Sequence, residues 1–185
     1  MIASPFGIDQ NLIVTGYIGP EQLQIVRAVA EHLRLPFVDF EARLEAIAEM
    51  PSSELRALFG ESRLKTLEAE VVSEMLLYRG AVIHISGQTL MASDHYERLR
   101  ATGPIICLVA TLDAVLQRLH LALGARYHNP RERELALGVV RREWALRARP
   151  DILELDTTNM DAEAMVEAII ACWREQAAII DWRAI

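Results

Sequence analysis

A glycine-bracketed turn near the start of the chain has the spacing of a phosphate-binding loop but lacks most of the residues that such a loop uses. The usual pattern is G-x-x-x-x-G-K-[ST], in which bare N–H groups and the lysine hold phosphate oxygens and the hydroxyl holds Mg²⁺. Here Gly16 opens the pattern and Gly19 lies within it. Glu21, Gln22 and Leu23 then stand at the positions of the second glycine, the lysine and the hydroxyl. The pattern predicts a degenerate loop that binds phosphate poorly.

The same residues also allow a purely structural interpretation. Glutamate is favoured in the first turn of a helix, where the helix dipole attracts negative charge. On this interpretation Glu21 and Gln22 begin a surface helix and bind nothing. The sequence leaves the two interpretations open.

Other polar residues stand after further predicted strands. Asp39 and Glu41 follow a short apolar piece, and Gly87 follows the third predicted strand. A helix cap by Asp39, with Glu41 in the first turn, explains the first pair without any ligand. His84 and His128 have no partner acid at a recognisable spacing, so we expect ordinary rather than catalytic histidines.

Short apolar strands alternate with helical patterns along the chain. The predicted strands are Leu12–Thr15, Phe37–Val38, Ala81–Ile85, Ile105–Val109 and Ile152–Leu155. This alternation predicts a three-layer α/β/α fold with a five-stranded parallel sheet, formed by residues 1–185 as a single domain. Ligands of such sheets bind beyond the carboxyl ends of the strands, so the polar residues that follow the strands form the candidate site.

The composition is that of an ordinary folded protein. The 185 residues are 52% hydrophobic and carry a formal net charge of -7 without any basic stripe, so we expect no nucleic-acid partner. No apolar run reaches the ~18 residues that a membrane span needs. The N-terminus lacks a signal-peptide pattern, and we expect a cytoplasmic protein. Cys107 and Cys172 lie in apolar segments and are expected to be buried thiols, and no metal site is predicted.

The order and spacing of several motifs resemble those of the shikimate kinase family, a branch of the nucleoside-monophosphate-kinase-like P-loop fold. The resemblance covers nearly the whole chain. Only Gly16 and Gly19 remain of the family's phosphate loop. The family's Pro-Phe-x-Asp-x-Asp motif reads PFVDFE here. The resemblance implies that Asp39 is linked to the metal site and that Glu41, one methylene longer than aspartate, faces the substrate hydroxyls.

Two further motifs of the family bear on the substrate. The helix motif Gly-Glu-x-x-Phe-Arg-x-x-Glu reads GESRLKTLE here, with Lys65 at the position of the arginine that holds the substrate carboxylate. Lysine keeps the charge but loses the bidentate fork. The family's triple glycine is reduced to Gly87. Pairing on a helix surface is the alternative for the first motif, and a structural turn is the alternative for the second.

The resemblance also assigns two arginines. Arg142 matches a substrate-binding arginine, and Arg126 is the candidate for the arginine of a lid at about residues 122–132. The substrate-binding helical subregion corresponds to about residues 40–75. If the protein is active, Asp39 and Arg126 are the implied catalytic residues, with ATP and Mg²⁺ as the implied cofactors.

Three functions are compatible with these patterns. The favoured one is a shikimate kinase-like protein with a degraded ATP loop, which is catalytically impaired and acts by binding or protein interaction. The alternative is an active ATP-dependent kinase that phosphorylates shikimate or a similar hydroxylated acid. In both, the expected ligand is a small anionic hydroxylated metabolite. A third uses the apolar run Ile169–Ile185 to bind a partner protein or a second copy, with packing on its own sheet as the alternative.

Overall fold

The computed structural model describes residues 9–124, 129–149 and 152–183, without the side chains of residues 132 and 177–183. Within these residues the strands are β1 (Leu12–Gly16), β2 (Phe37–Asp39), β3 (Val82–His84), β4 (Ile105–Val109) and β5 (Leu153–Asp156). The helices there are α1 (Gln22–Leu33), α2 (Phe40–Ala48), α3 (Ser52–Met75), α4 (Gly87–Leu90), α5 (His95–Arg100), α6 (Leu112–Leu123), α7 (Pro130–Glu143) and α8 (Ala162–Arg183).

The five strands form one parallel sheet in the order β2-β3-β1-β4-β5. The register pairs Val14 of β1 with His84 of β3 on one side and with Ile106 of β4 on the other. Because all strands run in the same direction, their carboxyl ends meet at one edge of the sheet. The residues that follow β1, β2 and β3 are therefore neighbours in space, and the predicted five-stranded parallel sheet is confirmed.

Helices cover both faces of the sheet, and alternate residues of the strands enter two different cores. Leu12 and Val14 pack with α1, α6 and α8, whereas Ile13 packs with α2, α3 and α5. This is why the strands are almost wholly apolar. Cys107 of β4 is buried as predicted, and burial raises the pKa of its thiol to about 12. Cys172 is only half-buried.

The predicted helices Glu54–Phe59 and Glu61–Tyr78 are one element, α3, with a kink at Gly60. Gly60 has φ +79° and ψ 175°, a conformation that is almost confined to glycine. Leu55 before the kink and Leu64 after it are both buried in the same core. The helix therefore resumes at once, because each half contributes an apolar face to that core.

The predicted helix Arg131–Arg149 consists of α7 and a tighter 3-10 turn, Trp144–Ala148. Leu146 in this turn is fully buried, which draws the chain back toward the sheet. The turn thereby places Glu143 and Trp144 near the carboxyl edge.

The first half of the apolar C-terminal run packs against its own domain. Ile169, Ile170 and Trp173 of α8 are buried in the core that also contains α1. The side chains of the second half lie outside the described residues. Among the described helices, α8 included, none combines the length and apolarity that crossing a membrane requires.

Candidate functional site

The turn after β1 is wrapped around the side chain of Gln22. This residue begins α1, and it is only 5% exposed. Its Oε1 accepts a hydrogen bond from the Ile18 N–H (3.0 Å), and its Nε2 donates to the Gly16 carbonyl (2.9 Å). The helix thus begins close to the predicted position, but Gln22 points into the loop, and the surface-helix interpretation is wrong for this residue.

Side chains also hold the two loop carbonyls that follow Gly16. The Tyr17 carbonyl accepts a hydrogen bond from Trp144 Nε1 (3.0 Å), and the Ile18 carbonyl accepts one from Arg118 Nη1 (3.2 Å). Trp144 comes from the turn after α7 and Arg118 from α6. The loop is therefore clamped from two directions as well as from within.

Arg118 also faces Thr157 and Glu21. Its Nη2 donates to the Thr157 carbonyl (2.6 Å), and its Nε lies 3.6 Å from Glu21 Oε1. The Glu21 carboxylate folds back on Gly19, where a Cβ would lie 2.6 Å from Oε2. Gly19 has φ +148°, a backbone conformation that favours glycine. The positive charge of Arg118 is thus matched by a carboxylate of the same chain.

His84 links the loop to the end of β2. Its Nε2 lies 3.3 Å from Gln22 Nε2, and its Nδ1 lies 2.7 Å from Asp39 Oδ1. Since an amide nitrogen can only donate, this network assigns the tautomer in which Nδ1 carries the proton and donates it to Asp39. The second Asp39 oxygen accepts from the Ala42 N–H (3.0 Å) and caps α2, so the predicted helix cap is confirmed.

These hydrogen bonds keep Asp39 ionised. Burial by itself raises the pKa of this carboxyl, but the hydrogen bonds from His84 and Ala42 outweigh burial, and the pKa lies below its ordinary value. An ionised acid, a histidine and an amide therefore form one chain of hydrogen bonds that ends inside the loop.

Glu143, the last residue of α7, places a buried carboxylate at the same edge of the sheet. It is 7% exposed, and its Oε2 accepts a hydrogen bond from the Gly87 N–H. Burial raises the pKa of Glu143, and the N–H groups of Gly87 and Gln88 offset only part of this effect. Gly87 must lack a side chain, since a Cβ there would lie 2.5 Å from the Glu143 carbonyl oxygen.

Two cavities open at this edge, and Ser86 lines both of them. The loop cavity, of about 220 Å³, is lined among others by Gly16, Gly19, Gln22, Leu23, His84 and Glu143. The helix cavity, of about 280 Å³, is lined among others by the charged residues Glu41, Arg56, Glu61, Lys65 and Glu68.

The structure brings two predicted substrate residues, Glu41 and Lys65, together in the helix cavity, where both are exposed. Glu61 pairs with Arg56 at 3.0 Å and not with Lys65. Burial raises the pKa of the half-buried Glu68. Within the described part of the chain, Lys65 has no hydrogen bond or ion pair.

Arg142 is exposed and lines neither cavity. It contributes instead to a separate surface cavity with Arg131 and Gly138. Successive residues of a helix point about 100° apart, so Arg142 turns outward while Glu143 turns toward the sheet. Arg126 lies outside the described residues. No group of three or more acidic, histidine or cysteine side chains in the described segments is arranged to hold a metal ion.

Sequence reasoning missed His84, Arg118 and Glu143 as site residues. His84 and Asp39 are 45 residues apart, so no local spacing can reveal their contact. The available signal was topological, because each is the last residue of its strand, and β2 pairs with β3. The sequence signal for Glu143 was weaker: it is an acidic residue directly after Arg142, the arginine that the family resemblance assigns to the substrate.

A parallel sheet of order 2-3-1-4-5, with a glycine turn between its first strand and first helix, defines the class of P-loop kinase folds. Within this class the chain matches the family model for shikimate kinase over residues 24–174, and it belongs to the shikimate kinase family. The match begins directly after the altered loop positions Glu21, Gln22 and Leu23.

Individual relatives agree with the family match. The chain is 27% identical over 164 residues to the shikimate kinase of Thermodesulfovibrio yellowstonii. The aligned region covers 87% of this chain and 93% of that protein. It is 26% identical over 170 residues to the shikimate kinase of Thermus thermophilus, covering 89% and 91% respectively.

Solved structures share the fold at lower identity. The shikimate kinase from Acinetobacter baumannii in complex with shikimate superposes with a TM-score of 0.70 at 19% identity, covering 88% of this chain and 92% of that chain. A gluconokinase from Sinorhizobium meliloti superposes with a TM-score of 0.64 at 13% identity, covering 96% and 99%. These likenesses support the P-loop kinase architecture.

Proposed function

We propose that this protein is a shikimate kinase family member whose loop is closed to ATP, and that it acts by binding a small hydroxylated ligand and not as an ordinary phosphotransferase. The observation that carries the proposal is the position of Gln22. Its amide uses both the Ile18 N–H and the Gly16 carbonyl. A loop N–H that a phosphate oxygen would need is thus already bonded within the chain.

ATP and Mg²⁺ do not fit the residues at this loop. A triphosphate relies on free loop N–H groups, a lysine and a hydroxyl that ligates Mg²⁺. Gln22 supplies a neutral amide, Leu23 has no hydroxyl, and the Glu21 carboxylate lies against Gly19, where it repels phosphate. Among the described residues, Arg118 contacts the loop, and its charge faces Glu21. Each missing donor costs about 3 kcal/mol of transition-state stabilisation, so ordinary turnover is not expected.

Calorimetric titration with ATP and with ADP, each with and without Mg²⁺, tests the proposal. We expect dissociation constants of about 1 mM or higher, which correspond to a binding free energy of at most ~4 kcal/mol. The Thermus thermophilus shikimate kinase, titrated in parallel, is the positive control. Micromolar, Mg²⁺-dependent binding by this chain contradicts the proposal.

An active ATP-dependent kinase for shikimate or a similar hydroxylated acid is the second candidate. The family match over residues 24–174 favours it, as do Glu41 and Lys65 in the helix cavity. This candidate requires a cation such as Arg118 to leave Glu21 and replace the missing lysine. A coupled assay with ATP and shikimate, gluconate or nucleoside monophosphates separates the two, because turnover of any of them above background favours the kinase.

A further inference from the structure

The outward side of α7 carries positive charge, although the chain as a whole has a formal net charge of -7. Arg131, Leu135, Gly138 and Arg142 share one side of this helix, because steps of three or four residues follow the helical repeat. The two arginines line a surface cavity together with Glu134, and Leu135 in the same lining is 67% exposed. Within the described part of the chain, neither arginine side chain forms a hydrogen bond or an ion pair. We call these four residues the basic face of α7.

The helix α8 carries an acidic face on its exposed side. Glu163, Glu167, Ala171 and Glu175 recur at every fourth position, and all four are exposed. Arg174, their neighbour on the helix, already has a partner of its own. Among the residues that the structure describes, none of the three carboxylates forms a hydrogen bond or an ion pair. The acidic face thus presents unmatched negative charge around a small residue.

The two faces match in length and in the order of their residues. The arginines of the basic face are 11 residues apart, about 16 Å along a helix, and the outermost glutamates of the acidic face are 12 residues apart, about 18 Å. When the helices run antiparallel with Arg131 opposite Glu175, Leu135 lies opposite Ala171. The second arginine then lies opposite Glu163. A large side chain therefore meets a small one between two ion pairs, which allows the helices to pack closely.

We propose that a second copy of this chain covers both faces, with α7 of each copy packed against α8 of the other. Both faces are exposed in one molecule, so they do not satisfy each other within the chain. A twofold axis repeats the contact and closes the assembly as a dimer. Exposed ion pairs contribute little affinity, so burial of Leu135 supplies most of the binding and the charges fix the register. This dimer is independent of the proposed function, because no side chain of either face lines the loop cavity or the helix cavity.

Analytical ultracentrifugation of the full chain tests the dimer with two charge reversals. The first reversal is Arg131→Glu combined with Arg142→Glu, and the second is Glu163→Arg combined with Glu175→Arg. Each reversal alone places like charges on both faces, which repel each other. In an equimolar mixture, each face of one reversal meets a face of opposite charge on the other.

Three further variants accompany the reversals. Leu135→Ser removes the apolar contact and leaves every charge in place. The matched controls are Arg63→Glu on α3 and Glu31→Arg on α1, which reverse exposed charges on other helices. Thermal unfolding followed by circular dichroism shows that each variant is folded.

We expect a wild-type dimer with a dissociation constant of about 1–100 μM. Each reversal alone, and Leu135→Ser, should raise this constant at least about tenfold, whereas the mixture should dimerise within about threefold of the wild type. Both controls should match the wild type. A wild type that stays monomeric at about 200 μM, or that grows beyond a dimer, overturns the proposal. So does a reversal that dimerises as well as the wild type, or a mixture that pairs no better than either reversal alone.

Discussion

At the scale of single residues, a neutral amide takes the place of the lysine of a phosphate loop, and a carboxylate takes the place of its second glycine. Gln22 replaces a cation with an amide that satisfies the loop from within. Glu21 adds a carboxylate that is matched by Arg118. The Ile18 N–H and the Gly16 carbonyl of the loop are therefore satisfied without a bound anion, because their partner is a side chain of the protein itself.

The Gln22 network makes a measurable contribution to stability. Gln22→Ala removes the partners of the buried Ile18 N–H and Gly16 carbonyl, and we expect the free energy of unfolding to fall by about 1–3 kcal/mol. Urea denaturation followed by circular dichroism measures this change. The matched control is Gln24→Ala, at an exposed position on the same helix, which should change stability by no more than about 0.5 kcal/mol. Equal effects of the two substitutions would show that the amide does not hold the loop.

At the scale of elements, α3 and α7 depart most from the helices that the sequence predicts. Gly60 interrupts the helical φ/ψ of α3 without ending the helix. The end of α7 rotates Glu143 inward and leaves Arg142 outside. Both departures arise because burial of neighbouring apolar residues decides how a helix continues, and a local stop signal or a motif position does not report this burial.

Two glycine-to-alanine substitutions in helices should have opposite effects. Gly60→Ala meets no atom within 4 Å, but it forces alanine into a positive-φ conformation. We expect a loss of about 1–3 kcal/mol. Gly138→Ala lies in the regular part of α7, where its Cβ would contact Arg142 Nη1 at an ordinary 3.4 Å. It should stabilise the protein by about 0.5–1 kcal/mol, because alanine loses less backbone entropy on folding.

Thermal and urea unfolding of both glycine variants provide the measurement. If Gly60→Ala is as stable as the wild type, then the kink relaxes to a straight helix at no cost, and the conformation at Gly60 is not a constraint of the fold. If Gly138→Ala is destabilised instead, the contact with Arg142 is tighter than the distance indicates.

At the scale of the whole molecule, stability depends on two cores divided by the sheet. The C-terminal helix α8 belongs to one of them, where Trp173 is fully buried. Phe59, on α3, is 58% exposed although it is also a large aromatic residue. Hydrophobicity alone therefore does not identify which aromatic side chains hold the fold together.

We expect Trp173→Ala to lower the free energy of unfolding by about 3–5 kcal/mol, because it leaves a large cavity between α8 and the sheet. Phe59→Ala should change it by no more than about 0.5 kcal/mol. Denaturant titration of the two variants checks the comparison. A small effect of Trp173→Ala would mean that α8 is not part of the cooperative core. That outcome would favour the alternative in which the C-terminal run binds a partner protein or a second copy.

The layered α/β architecture, the altered loop positions and the cap at Asp39 could all be predicted from the amino-acid sequence. These features depend on local periodicity and on residue types at short spacing, which the chain displays directly. The folded arrangement was needed to establish that Gln22 fills the loop, that His84 meets Asp39, and that Glu143 rather than Arg142 faces Gly87. His84 and Asp39 are 45 residues apart and Glu143 and Gly87 are 56 residues apart, so their contacts depend on strand order and helix rotation, which spacing along the chain does not encode.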